Sequence, residues 1–297
     1  MKKYRSEKAG REILRTYDEL LSRWGTETEE LNLKSEYGIT HVTAAGEKGA
    51  EPLVLLHGVG DDSALMWLKN AAYLAKRYRI YAIDTIGGAG KSEMGAGYDK
   101  SFDDVVWLRG VLDALSIGEA SFIGVSHGGY LAQLCALCLP ERVKKAIALS
   151  ASVPAGKEGS PMKTMMKIFL PEALFPTDKN IAKLLRKLCG GSAEAFTSDS
   201  LVMEHYRWLL KGFNNMAMGC HKVKTFTDSQ IEMIRPRCYY LLGERDPFQK
   251  LGGKDAVLSY KMNARFYENA GHGLNHELAD EINEAICKIL SGEITEL

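Results

Sequence analysis

The sequence predicts an α/β fold: a mostly parallel sheet with helices on both faces and a helical insertion in its second half. Three observations carry this. Short apolar runs alternate with longer amphipathic stretches from residue 52 onward. The alternation stops between about 153 and 232, where Met, Phe, Leu and Lys are abundant, and strand periodicity returns only at CYYLLGE. A chain of 297 residues is long enough to bury one large core and carry an elaboration.

Taken in order, residues 6–25 place Ile13, Leu14, Tyr17, Leu20, Leu21 and Trp24 at helical spacing, which predicts an N-terminal helix laid across the fold. TEELNLKSEYGITHVTAAG alternates around Tyr37-Gly38 and reads as a β-hairpin. PLVLLHG, IYAIDT, ASFIGVS, KAIALSAS, CYYLLGE and ARFYENAG are the predicted strands. Helical segments near 64–77, 102–115 and 127–139 separate the first four, and this alternation implies right-handed crossovers in a parallel sheet. PMKTMMKIFLPEALF and HYRWLLKGFNNMAMG read as helices without strands between them. The division expected is a core of 1–152 and 233–297 with a helical cap over 153–232, closed by the amphipathic DEINEAICKIL.

Charged residues balance at 38 against 38, so no net field draws the chain to nucleic acid or an anionic membrane. No apolar run reaches the roughly eighteen residues of a spanning helix. MKKYRSEKAGREIL lacks the apolar core of a secretory signal. Six scattered cysteines in a long chain suit a reducing compartment, and the cytoplasm is the expected location. Cys135 and Cys138 form a C-x-x-C inside the apolar stretch YLAQLCALCLP, with no second Cys/His pair at zinc spacing. Both are expected to be small buried hydrophobes, and no metal or cofactor is expected.

YAIDTIGGAGKSE ends in a glycine-rich stretch that resembles a phosphate loop. A P-loop needs glycine five positions before the Gly-Lys pair, where Thr85 stands. The dinucleotide pattern fails as well, because Glu93 occupies the place of the third glycine.

Ligands of open parallel sheets bind beyond the carboxyl ends of the strands. ASFIG is followed by Gly124-Val125-Ser126-His127-Gly128, a G-x-S-x-G between a strand and a helix. Such a turn pushes its serine outward, and the glycines spare clashes with neighbouring elements. A serine hydroxyl needs a base, and the base a carboxylate. His272 sits in a GHG loop after ARFYENA and is preferred over His276, four residues on and helical. His41, His205 and His221 are given surface or structural roles, and the His127 ring is expected to point away from the hydroxyl. Asp246 ends the CYYLLGE strand before Pro247, with Glu244 as the solvated competitor. The order Ser126, Asp246, His272 differs from both common serine-protease orders. The N–H groups of His127 and Val59 are the expected oxyanion donors, with the His57 ring as a loop brace.

From about residue 50 to the C-terminus these features together resemble the α/β-hydrolase superfamily: the HG loop, the nucleophile elbow, the late-strand Asp and the final His occur in order. The resemblance also accounts for DTIGGAGKS as a lengthened form of the family's D-x-x-G-x-G-x-S turn, which assigns Asp84 to that turn. The longer form is similar to the bacterial carboxylesterases that include the Bacillus naproxen-type esterases. The expected activity is hydrolysis of a small-molecule carboxylic ester through an acyl-enzyme. Met162, Met165, Met166, Phe169, Trp208, Phe213, Met216 and Met218 are candidate pocket walls, of which two or three are expected to face a medium-sized apolar or aromatic substrate. The alternatives are a C–C bond hydrolase, an acyl transferase or thioesterase using the same triad, and a ligand-binding protein without turnover. Dehalogenases and epoxide hydrolases, which by resemblance carry aspartate at the elbow, are disfavoured by Ser126.

Overall fold

The computed structural model describes residues 2–156, 161–170, 172–191, 193–251 and 253–296. Ser6 caps α1 (Glu7–Leu21) by accepting from the Ala9 N–H, and Ile13, Tyr17, Leu20 and Leu21 bury one face. A hairpin, β1 (Thr28–Ser35) and β2 (Gly38–Ala45), leads into β3 (Glu51–Leu56). The predicted helix near 64–77 is two single turns, α2 (Ser63–Met66) and α3 (Ala71–Leu74). Between them lie turns over 67–70, and the buried Asn70 side-chain amide bonds Asn275 O at 3.2 Å and Asn283 Oδ1 at 2.8 Å.

β4 (Tyr78–Ile83), β5 (Glu93–Met94), α4 (Asp104–Ala114), β6 (Ala120–Val125), α5 (His127–Cys138) and β7 (Val143–Leu149) follow. Among the described residues helices alone come next: α6 (Pro161–Phe169), α7 (Asp178–Leu188), α8 (Glu194–Thr197), α9 (Ser200–Gly212) and, after a 3₁₀ turn at Asn215–Met218, α10 (Asp228–Ile234). β8 (Cys238–Gly243), α11 (Lys254–Ser259), β9 (Asn263–Tyr267), α12 (Leu274–Glu277) and α13 (Ala279–Ser291) complete the chain. β5, at two residues, is too short to show a period, and α11 also went unpredicted.

The sheet runs β1-β2-β4-β3-β6-β7-β8-β9, with β5 beside β2. Every pair from β4 through β9 along that order is parallel, and β2 joins β4 antiparallel. Leu53, Leu55, Ile123 and Val125 face one core with α1 and α13, whereas Val54, Leu56, Ala120 and Phe122 face the other with α4 and α5. Burial on both faces is why these strands read as continuous apolar runs. Cys135 is buried as expected, but Cys138, on the last turn of α5, is exposed. The apolar run continues past the point where that helix faces the core.

The glycine-rich turn after β4 does hold an anion, namely the chain's own Asp84. That carboxylate is fully buried and accepts from the Ser63 N–H (3.0 Å), the Lys91 N–H (2.7 Å) and His41 Nδ1 (3.0 Å). A Cβ on Gly90 would lie 2.2 Å from the Asp84 carboxyl carbon, so this position tolerates only glycine. The loop's outer carbonyls are taken as well: the Lys3 ammonium donates to Gly90 O and Ser92 O, and the Tyr4 hydroxyl to Ala89 O. Among the described residues, no helix is long and apolar enough to cross a membrane.

Candidate active site

Ser126 stands between β6 and α5 with φ 55° and ψ −114°, a left-handed conformation that is strained for a residue bearing Cβ. Its N–H bonds Leu149 O at 2.9 Å and its carbonyl accepts from Tyr130 N–H at 3.1 Å, fixing the turn from both sides. The tightness demands the flanking glycines. A Cβ on Gly124 would come within 2.0 Å of Gly128 O, and one on Gly128 within 2.1 Å of Leu56 O.

The loop after β3 adjoins this turn, with the Cβ position of Gly58 only 3.4 Å from Ser126 Cβ. His57 braces that loop, as expected. Its Nδ1–H donates to Gly58 O at 2.8 Å while Nε2 accepts the Thr85 N–H at 2.9 Å. Neither the Val59 nor the His127 N–H is engaged by another group among the described residues.

β8 and β9 lie two and three strands along the sheet from β6 and end at the same carboxyl edge. Asp246 follows β8 and is buried; its Oδ1 accepts the Phe248 N–H at 2.8 Å and its Oδ2 meets His272 Nδ1 at 2.8 Å. Glu244, the competing acid, is exposed and bonded to Lys254 at 2.6 Å. The structure therefore joins two of the three expected side chains directly. The Ser126 hydroxyl makes no hydrogen bond among the described residues, and nothing there competes for it. Contacts of this kind commonly tighten only when substrate binds.

Sequence reading missed Phe248, whose ring lies 4.5 Å from that of His272 and 6.4 Å from that of Phe169. The signal was an aromatic two residues beyond the acid. Of the other candidate wall residues, Phe213 and Met218 are buried in the core, whereas Met165, Met166 and Met216 are exposed. The Met162 side chain lies outside the described residues. Asp61, two positions past Val59, was also passed over; burial and then the Asp62 charge push its carboxyl up to about 7.

The remaining histidines divide by environment. His41, His205 and His221 are not surface groups. Their side chains are at most 2% exposed and paired with Asp84, Asp62 (2.8 Å) and Asp104 (2.5 Å). In each the second ring nitrogen is engaged too, by Glu30, by Thr16 Oγ1 and by Ile86 O. Burial opposes charge on His41, but the bonds and charges of Asp84 and Glu30 prevail and raise its pKa. Burial alone would raise Asp84, but the hydrogen bond and charge of His41, then the His57 charge and the Lys91 N–H, hold it far below the usual carboxylate range. The His127 ring stacks on Tyr130 and meets that of His221 edge to face. Burial first, then the His221 and His57 charges, push His127 down to about 3.

His276, buried on Phe196 with ring centroids 4.7 Å apart, is pushed down to about 4 by burial and then by Lys69. Its folded value lies below the unfolded 6.5, so its contribution is complete above pH 6.5 and is lost as pH falls toward 4. By linkage the loss at pH 5 is about 2 kcal/mol. His276→Gln should therefore gain on the wild type by roughly that amount between pH 7 and pH 5 in denaturant titrations. A stability difference independent of pH would refute the assignment.

Among the described residues, no three His, Cys, Asp or Glu side chains converge as a metal site. Known proteins bear on the whole arrangement. Residues 51–193 match the family described as alpha/beta hydrolase fold. Over its length the chain is 28% identical to carboxylesterase YbfK of Bacillus subtilis, covering 96% of each. It is 31% identical to an uncharacterised carboxylesterase, nap, of the same organism, covering 94% of this chain and 92% of that one. The crystal structure of naproxen esterase (carboxylesterase NP) from Bacillus subtilis superposes with a TM-score of 0.82 at 27% identity, over 96% of this chain and 99% of the other. With the elbow, the strand order and near full-length similarity in agreement, the chain belongs to the α/β-hydrolase family, as a carboxylesterase-like enzyme.

Proposed function

We propose that the protein is a serine hydrolase that cleaves carboxylic esters through an acyl-enzyme. The observation that carries this reading is the His272–Asp246 pair at 2.8 Å, at the same sheet edge as a serine held in a strained turn. Ser126 Oγ attacks the ester carbonyl as His272 Nε2 takes its proton. Asp246 holds the Nδ1–H tautomer and stabilises the imidazolium. The Val59 and His127 N–H groups receive the oxyanion, each contributing about 3–4 kcal/mol. His272 then returns the proton to the departing alcohol, and water repeats the sequence to free the acid and regenerate Ser126.

The helices of 153–232 form a cap, and the Phe169–Phe248 wall beside the imidazole favours medium-sized apolar or aromatic esters. The cytoplasm is the proposed compartment, supported by six cysteines that are all free thiols.

The test combines p-nitrophenyl esters of increasing acyl length with a fluorophosphonate probe. The expected result is nitrophenolate release that peaks at intermediate length, with stoichiometric labelling on the Ser126 peptide. Folded protein that neither turns over esters nor labels would remove the proposal and favour ligand binding without turnover. Bleaching of a yellow dienoate diketone acid with negligible ester turnover would favour the C–C hydrolase.

A further inference from the structure

One carboxylate ties the loop that bears His272 to the helical segment above it. Glu277, the last residue of α12, has its two oxygens divided between two stretches of chain. Oε1 accepts the Gly271 N–H at 2.9 Å, immediately before His272. Oε2 accepts the Gly190 N–H at 2.8 Å and the Gly191 N–H at 3.0 Å, just past the end of α7. The same two stretches meet elsewhere. The His272 N–H donates to Leu188 O at 2.7 Å, and the Arg245 guanidinium donates to Gly190 O at 2.8 Å while its own N–H bonds Ala270 O at 3.0 Å. The backbones approach so closely that a Cβ on Gly271 would lie 2.2 Å from Leu188 O.

These contacts have a direction. On its own the 270–273 loop has few partners to fix its backbone, since β9 ends at Tyr267 and α12 begins only at Leu274. The Gly271 and His272 amides, which lead into the His272 Cα, are satisfied by groups that depend on 188–191 being seated: Leu188 O directly for His272, and Glu277 through its shared carboxylate for Gly271. If 188–191 lifts away, Leu188 O leaves with it and Glu277 loses two of its three donors. The imidazole then loses the framework that sets its distance to Ser126.

We infer that Glu277 is a positioning residue that acts through His272, coupling the seating of segment 188–191 to assembly of the proton-transfer line. This rests on the serine-hydrolase reading above. A carboxylate suits the task because it accepts only, and three N–H donors converge on it. Glutamine is its closest isostere, but it offers one oxygen and turns an NH₂ toward donors.

The experiment compares wild type with Glu277→Ala, Glu277→Gln and Asn283→Ala. The last cuts buried bonds to Asn70 and Lys69 in the same C-terminal region without touching the loop. For p-nitrophenyl acetate, Glu277→Ala is expected to lower kcat by about 10- to 100-fold, the scale of a small displacement of a reacting group. KM should stay within about threefold, and fluorophosphonate labelling should slow in proportion to kcat. Glu277→Gln should follow it, and it decides the matter if the alanine variant does not fold. Asn283→Ala should lower Tm with kcat unchanged. Folded Glu277 variants that react at the wild-type rate would overturn the latch while leaving the hydrolase reading intact, as would an equal kcat loss in Asn283→Ala. If wild type neither turns over nor labels, the hydrolase reading falls instead. Hydrogen exchange then judges the latch: faster exchange of the 190–191 and 271–272 amides in Glu277→Gln supports it, and unchanged protection overturns it.

Discussion

Ser126→Ala is expected to lower kcat for p-nitrophenyl butyrate by about 10⁴- to 10⁶-fold, the range found when a serine nucleophile is removed from a complete site. The size of the effect follows from the turn. Strain at φ 55° is built into the backbone by the Leu149 and Tyr130 bonds and by the close approach of Gly128 to Leu56, none of which involves the serine hydroxyl. Alanine therefore occupies the same geometry, and the loss falls on bond formation rather than on folding. Residual turnover would come from the Val59 and His127 donors acting on an attacking water. Circular dichroism and Tm close to wild type, with nitrophenolate release near background, would support the reading. A variant that keeps more than about a tenth of the wild-type rate would assign the attack to another group.

Asp246→Asn is expected to cost about 10⁴-fold in kcat with little change in KM. The two oxygens of Asp246 do different work, Oδ1 accepting the Phe248 N–H and Oδ2 facing His272 Nδ1. Asparagine has one oxygen, and the Phe248 amide, which can only donate, claims it. The side-chain NH₂ is then left against Nδ1, which must accept and so loses its proton to Nε2. An imidazole with Nε2–H has no lone pair for the serine proton. The variant should recover part of its activity as pH rises, when hydroxide can take that proton directly. Activity within tenfold of wild type at neutral pH would place the orienting carboxylate elsewhere.

Much of the architecture was legible because this chain states it locally. Each central strand is a short apolar run, since alternate residues such as Leu53 and Val54 are buried on opposite faces. The elbow was legible for the same reason, because strand, strained turn and helix occupy one stretch of sequence. The sites around Asp246 and His272 could be sought at strand ends, although the roles given to them remain part of the proposal. What stayed hidden depends on distant partners. His41, His205 and His221 meet their aspartates across 43, 143 and 117 residues, so nothing near them in sequence marked them as buried. Glu277 joins residues 86 and 87 positions away. Asn70, at the break between α2 and α3, likewise finds its partners Asn275 and Asn283 more than 200 residues on.

Among the described residues four imidazoles touch an aspartate, and by that criterion alone they are indistinguishable. They differ in what is left over. Three have spent both nitrogens on fixed neighbours, so a proton there is immobile cargo. The fourth, His272, keeps one nitrogen uncommitted among the described residues. On the proposed mechanism, vacancy in the ring, rather than nearness to a carboxylate, is what would separate a shuttle from a rivet in this chain.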